Sequence, residues 1–366
     1  RQVHRSWISR WRSSRERSVR AREQAGSAGA VGAISMGCCM AAQRGDMSAC
    51  FVHMPPARGC VSALRPWLEA LGGYDAGCIE ATAAGTVSGA RGLCVQRDVQ
   101  AGEVLFAVPP SAWLSAENTL PEDLFAKTVA EPWDLRLCAG IALAVATHGK
   151  GASHNQKGLR HAEALQPYIH TCLPSRKELY QDLPLFWQPE RLKAQTWAQP
   201  WLNQLVAVRR ARLKPLLRGG VWEGLEDRVE LADLAYAYGL VCSRAVKLHG
   251  AENCSIVPLT DLANHAPAKA GSSGELVHAN CRYAILQTTS ETGPEDSRLA
   301  AARKTGAVGL IADRPLVAGE EVLIEYGQYS DARLFLEYGF RCPNNPYGVG
   351  TLELPADTIA QRLALE

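Results

Sequence analysis

The first apolar rhythm along the chain falls at Pro66-Trp67-Leu68-Glu69-Ala70-Leu71, where the spacing predicts a short amphipathic helix stopped by Gly72-Gly73. Two brief apolar runs follow, Gly92–Val95 and Glu103–Val108. They flank the polar Asp98-Val99-Gln100-Ala101-Gly102 and predict two strands joined by a turn. From about residue 135 to 248 the rhythm changes. Apolar residues recur three and four apart over Trp197–Leu217 and Leu231–Leu248, the period of helices with one buried face. Leu137–Thr147, interrupted only by small residues, predicts a helix buried all round. Strand-like runs return at Val277–Gln287, Ala307–Ala312 and Glu321–Tyr326, and the polar Thr288–Thr305, with its Gly293-Pro294, reads as a surface loop between two of them.

Strands therefore flank a helical middle, which is not the alternation of a doubly wound sheet. The pattern predicts an α+β fold of small antiparallel sheets with a helical insertion. Residues 1–60 carry no periodic pattern and are expected to be disordered. The remainder is expected to divide into 61–135 and 231–350, two parts of one domain, around a helical insert at 136–230, with 351–366 opening a further region.

Composition adds a core and an asymmetry. Hydrophobic residues make up 47% of the 366, enough for one large domain or two ordinary ones. The net charge of +2 conceals eight arginines and two acids in residues 1–30, so the rest of the chain is acidic on balance. That argues against a nucleic-acid surface on the folded part, which would need clustered basic residues. The Arg- and Ser-rich leader has the composition of an organelle transit peptide, although a solvated arginine tail or misread untranslated sequence would look the same. The expected location is the chloroplast on the transit reading, and otherwise the cytoplasm or nucleus. Twelve cysteines without a CxxC pair give no zinc framework and no dense disulfide scaffold, which predicts mostly reduced core thiols and no metal. No apolar run has the length of a membrane span.

Four short stretches carry candidate chemistry. Ser88-Gly89-Ala90-Arg91-Gly92-Leu93 places glycines before a strand, either a plain turn or a loop that lets a ligand approach the backbone. It opens a strand rather than a helix, so it is not a dinucleotide fingerprint. Arg244, in Cys242-Ser243-Arg244-Ala245, suits the negative end of a helix. Asp261-Leu262-Ala263-Asn264-His265 reads as a turn with Asx hydrogen bonds. A metal site or hydrolase triad there lacks a second ligand at suitable spacing and a GxSxG elbow. The apolar Val322–Ile324 runs into Glu325-Tyr326-Gly327, and Glu337-Tyr338-Gly339-Phe340 follows. A tyrosine ending a strand is most often core.

Taken in order, Pro258-Leu259-Thr260-Asp261-Leu262-Ala263-Asn264-His265 and the stretch Ala318 to Phe340 resemble the cofactor and catalytic motifs of SET-domain protein methyltransferases. The subfamily is the one typified by plant Rubisco large-subunit lysine methyltransferase. Gln166-Pro167-Tyr168-Ile169, Leu173-Pro174 and Pro184-Leu185-Phe186-Trp187 look like that group's helical insert. The resemblance, over roughly residues 61–351, implies a SET domain with a knot-like C-terminal segment and S-adenosyl-L-methionine as cofactor. It implies that Gly89, Arg91 and Gly92 wrap the methionine end, and that Arg244 meets the cofactor carboxylate. Asn264 and His265 would clasp the cofactor's amino-acid and adenine ends, with Asp261 steadying the turn. Tyr326 would be the catalytic tyrosine beside the cofactor, and Tyr338 and Tyr283 would line the substrate-lysine channel. The implied activity is lysine methylation of a non-histone protein, with the Rubisco large subunit or another plastid protein as candidates, by a monomer with no nucleic-acid or membrane partner. A histidine methyltransferase of the same subfamily and a non-catalytic SET-like binding module are the alternatives. Tyr338 favours lysine, because a histidine ring would need its space. Relatives carry a long C-terminal helical domain that docks the substrate. Its absence here implies either a fragment or a different mode of docking.

Overall fold

The computed structural model describes residues 60–82, 91–146, 163–196, 201–217, 220–225, 227–248, 254–266, 279–287, 296–342 and 345–348. All belong to one unit, His53–Glu366, and a second unit, Arg1–Val52, lies outside them. The expectations for the N-terminal leader, for Gly89 and for residues 351–366 therefore fall outside the described residues.

Among the described residues the framework is carried by the strands β1 (Tyr74–Asp75), β2 (Ile79–Thr82), β3 (Gly92–Val95), β4 (Val104–Val108), β5 (Val246–Lys247), β6 (Cys254–Ser255), β7 (Asn264–His265), β8 (Cys281–Ile285), β9 (Val308–Ala312) and β10 (Glu321–Ile324). One sheet has the order β1-β4-β9-β8 and a second β2-β3-β10-β7, with β5 and β6 forming a separate hairpin. Among the described residues every strand pairing is antiparallel except one. β7 runs parallel to β10, with Asn264 opposite Leu323 and His265 opposite Ile324. The α+β arrangement of small, mainly antiparallel sheets is the one the sequence predicts, and its parallel pair sits where the candidate site lies. β3, β4 and β10 are buried at every position, so β3, β4 and the last three residues of β10 read in sequence as continuous apolar runs rather than alternations, with the buried Glu321 at the head of β10.

The main helices are α1 (Cys60–Ala70), α2 (Trp133–Ala146), α3 (Arg176–Asp182), α4 (Trp201–Ala211), α5 (Leu231–Arg244), α6 (Ser297–Lys304) and α7 (Asp331–Tyr338), with shorter turns between them. α1 begins six residues before the expected start and buries Cys60, Val61, Leu64 and Leu68 on one face. α2 is buried without a break from Leu135 to Ala144, and apart from Arg136, whose guanidinium lies over the Phe125 ring at 4.5 Å, the residues of that stretch are small or apolar. It packs along α5, where the Cys138 thiol donates to the Leu234 carbonyl at 3.4 Å.

α5 opens with a capping box between Glu230 and Asp233 and stops at Arg244, four residues short of the apolar periodicity. Val246-Lys247 then joins the β5–β6 hairpin. The predicted loop at Thr288–Thr305 is corrected in its second half. Asp296 accepts a hydrogen bond from the Arg298 N–H at 2.8 Å and caps α6. The charged, exposed face of that helix gave the segment its loop-like polarity, while the run Leu299-Ala300-Ala301-Ala302 has strong helix propensity.

The nine described cysteines are free thiols. Among the described residues no helix is long and apolar enough to cross a membrane, and no group of three or more His, Cys, Asp or Glu side chains is arranged for a metal.

Candidate active site

The site forms where β7, the end of β10 and the end of α7 meet. Before β7 the chain makes a single 3-10 turn, Thr260–Leu262, entered through Leu259 at φ 66. A buried, branched side chain in that region is backbone strain held by its surroundings. What holds it is visible. Arg244, at the end of α5, donates Nη1 to the Asp261 carbonyl at 3.1 Å and pairs with the Asp261 carboxylate. Burial, the largest influence, would lower the Arg244 pKa, but the Asp261 charge and hydrogen bond together with the nearby Tyr168 and Tyr326 outweigh it, and the net shift is upward. Tyr168 lies in the same buried patch. Its phenol is pushed far up, first by burial and then by Asp261.

The 3-10 turn hands the chain to β7, and pairing with β10 aligns two further contacts. The Tyr326 N–H donates to His265 Nδ1 at 3.1 Å, and the Tyr326 hydroxyl donates to the Ala263 carbonyl at 2.8 Å. His265 Nδ1 therefore carries no proton, and burial lowers the imidazole pKa. Rings surround the Tyr326 phenol. Tyr338 stands 4.9 Å away between centroids, His265 5.1 Å, and Phe340 6.5 Å in an edge-on contact. Burial raises the Tyr326 and Tyr338 phenols well above their usual range, so both stay protonated at neutral pH.

Tyr338 and Phe340 reach this point because α7 ends there. Its cap, Gly339, has φ 84, and a Cβ there would lie 2.1 Å from the Asp182 carbonyl oxygen. Tyr329 extends the wall, 6.3 Å from Tyr338 and covered by the Arg333 guanidinium at 3.7 Å. It closes over Gly327, where a Cβ would sit 2.6 Å from the ring.

The structure brings Tyr326, Tyr338, Asp261, Asn264, His265 and Arg244 together. Tyr283 lies in mid-strand on β8, half-buried and packed against the main core, and its phenol is raised first by burial and then by Tyr329. Gly92 starts β3. Arg91 donates to the Cys172 carbonyl at 2.6 Å. The Cys60 thiol is lowered chiefly by its hydrogen bond with Cys172, against burial, and it feels both Arg91 and Asp261.

Sequence reasoning missed Ala263, Glu321, Asn280 and Tyr329. Ala263 acts through its carbonyl, which leaves no trace in a side chain. Glu321 is 4% exposed and accepts from Asn264 Nδ2 at 2.7 Å. An acid at the head of a strand whose other residues are all apolar was the available signal. Asn280 donates to the Glu321 carbonyl and accepts from the Leu323 N–H, both at 2.8 Å.

No family model matches the chain. SET domain-containing protein 4 of Homo sapiens is 27% identical over 298 residues, covering 78% of this chain and 59% of that protein. The [fructose-bisphosphate aldolase]-lysine N-methyltransferase, chloroplastic, of Arabidopsis thaliana is 23% identical over 290 residues, 72% of this chain and 49% of that enzyme. A crystal structure of the SET domain of LSMT bound to lysine and AdoHcy aligns with a TM-score of 0.49 at 20% identity, over 78% of this chain and 58% of that one. The chain spans about half the length of these curated relatives, and its homology is to SET-domain methyltransferases.

Proposed function

We propose that this chain transfers a methyl group from S-adenosylmethionine to the side-chain amine of a lysine in a protein substrate. The observation that carries the reading is the Tyr326 hydroxyl fixed on the Ala263 carbonyl, inside a wall formed by His265, Tyr338 and Phe340. The neighbouring groups fit the charged end of the cofactor. Arg244 has a buried Nε with no partner and a side chain still 18% exposed, suited to a carboxylate. Asn264, with its amide N–H₂ on Glu321, offers an acceptor suited to an ammonium.

When bound, S-adenosylmethionine supplies a methyl group on a positively charged sulfur. The residues of this chain must deliver a neutral amine to it. A free lysine titrates near ~10.4, so the pocket has to disfavour the ammonium. Burial among Tyr326, Tyr338 and Phe340 does this by desolvation. The Ala263 carbonyl and the Tyr326 oxygen then hold the amine in one direction, which turns binding energy into alignment. Because both tyrosines keep their protons, they orient the amine without acting as bases. A histidine acceptor would need the volume that Tyr338 fills, 4.9 Å from the Tyr326 ring.

The acceptor is sought first among non-histone plastid proteins, since the Arabidopsis relative is a chloroplast enzyme that acts on an aldolase. The test is incubation with methyl-labelled S-adenosylmethionine and plastid, cytosolic and nuclear extracts, followed by amino-acid analysis of the labelled protein. Label in methyl-lysine is the expected result. Label in methyl-histidine overturns the lysine assignment, and binding of the cofactor without label in any extract favours the non-catalytic module.

A further inference from the structure

Glu321 is a carboxylate at the start of a wholly buried strand, and only 4% of it is exposed. An ionised acid in such a place is costly unless it is hydrogen-bonded. Its Oε1 accepts from Asn264 Nδ2 at 2.7 Å, across the parallel seam between β7 and β10. Through that bond the carboxylate adjoins the site, because Asn264 and His265 form β7 and His265 Nδ1 accepts from the Tyr326 N–H.

The contact has a consequence for polarity. An asparagine amide has a donating end and an accepting end, and it can turn over at little cost when nothing holds it. An ionised carboxylate can only accept, so it fixes the donating end of Asn264 on Glu321. Oδ1 is then the end left for a ligand, and it can take only a donor. Resting on the S-adenosylmethionine reading, we propose that Glu321 is a positioning residue that locks the Asn264 amide so that its Oδ1 receives the α-ammonium group of the cofactor. A protein with the same fold but no acid at this position would hold the amide in two orientations, one of which repels that ammonium.

Binding can be tested by calorimetric titration of the full chain with S-adenosylhomocysteine and with its analogue lacking the α-amino group. Asn264→Ala should weaken S-adenosylhomocysteine about tenfold, the loss of one hydrogen bond to a charged group. Glu321→Gln should weaken it severalfold, and the double variant should bind no worse than Asn264→Ala alone, because the two residues act as one unit. Against the deaminated analogue, wild type and Glu321→Gln should bind alike. Asn264→Asp sets two carboxylates face to face and should bind weakly, and adding Glu321→Gln should restore affinity by supplying the missing donor. That rescue would not follow from a purely structural role, and it is read only from variants whose thermal unfolding matches wild type. Multiplying losses in the double variant, an equal loss of the deaminated analogue in Glu321→Gln, or no rescue would overturn the assignment while leaving the cofactor reading intact. A wild-type chain that binds no S-adenosylhomocysteine would overturn both.

Discussion

At the scale of single residues, two groups of one tyrosine, one on the backbone and one on the side chain, divide the labour. The Tyr326 backbone N–H is held by His265, and its hydroxyl is held by Ala263. Replacing Tyr326 with Phe keeps the ring contacts and deletes only the hydroxyl. Cofactor affinity should stay near wild type while single-turnover methyl transfer falls at least about 100-fold, roughly 2.7 kcal/mol of barrier.

His265 gives a separate prediction in pH. Burial places its native pKa below the ordinary value, which is near ~6.5 in an unfolded chain. Below that value the unfolded chain takes up a proton that the native state refuses, so stability declines as pH falls from the unfolded pKa toward the native one. Above both values the contribution is fully present. Urea midpoints measured across this window should show a steeper acid loss in wild type than in His265→Asn, whose Oδ1 can replace the Nδ1 acceptor without titrating. Equal slopes would show that some other group titrates there.

At the scale of elements, the site depends on where a helix ends. α7 stops at Gly339 in the left-handed region, and the turn there brings the Tyr338 and Phe340 rings within 6.1 Å of each other, both against Tyr326. A side chain at this position combines an unfavourable φ with a clash against the Asp182 carbonyl. Gly339→Ala is therefore expected to cost about 3 kcal/mol, read as a lower thermal midpoint, and to reduce methyl transfer further by displacing both rings. The same scale explains α6. Its polarity suggested a loop, but alanine propensity and the Asp296 cap outweighed composition once the chain had a surface to lie on. β7 shows the converse. Two residues, Asn264 and His265, are too short to show any strand period, and they pair only because β10 passes beside them.

At the scale of the molecule, the two four-stranded sheets are tied through Asn280, which is 2% exposed. It precedes β8 of the first sheet. Its backbone N–H donates to the Leu323 carbonyl at 3.0 Å, and its side chain makes two more bonds to β10 of the second sheet. Asn280→Ala would leave the Leu323 N–H without its partner at a buried strand. A loss of about 2–4 kcal/mol is expected, measured as a lower urea midpoint with an unchanged slope. Because β10 carries both Glu321 and the approach to Tyr326, the same variant should weaken S-adenosylhomocysteine binding. A variant that unfolds earlier but binds normally would separate the tie from the site.

The sequence by itself determined the elements with long or unbroken apolar patterns, α2, β4, β9 and β10, because burial writes a local period into the residues that make it. It also determined which residue types were available for chemistry, the Asn264-His265 pair and the tyrosines at 326 and 338. The partners of those residues were decided only in three dimensions. Tyr326 meets a carbonyl 63 positions away, Asn264 an acid 57 positions away, and Arg244 an aspartate 17 positions away. Arg244 shows the difference most clearly. Its place at a helix end could be read directly, but its commitment to Asp261 could not, because a hydrogen bond is settled by distance and angle between atoms that share no pattern along the chain.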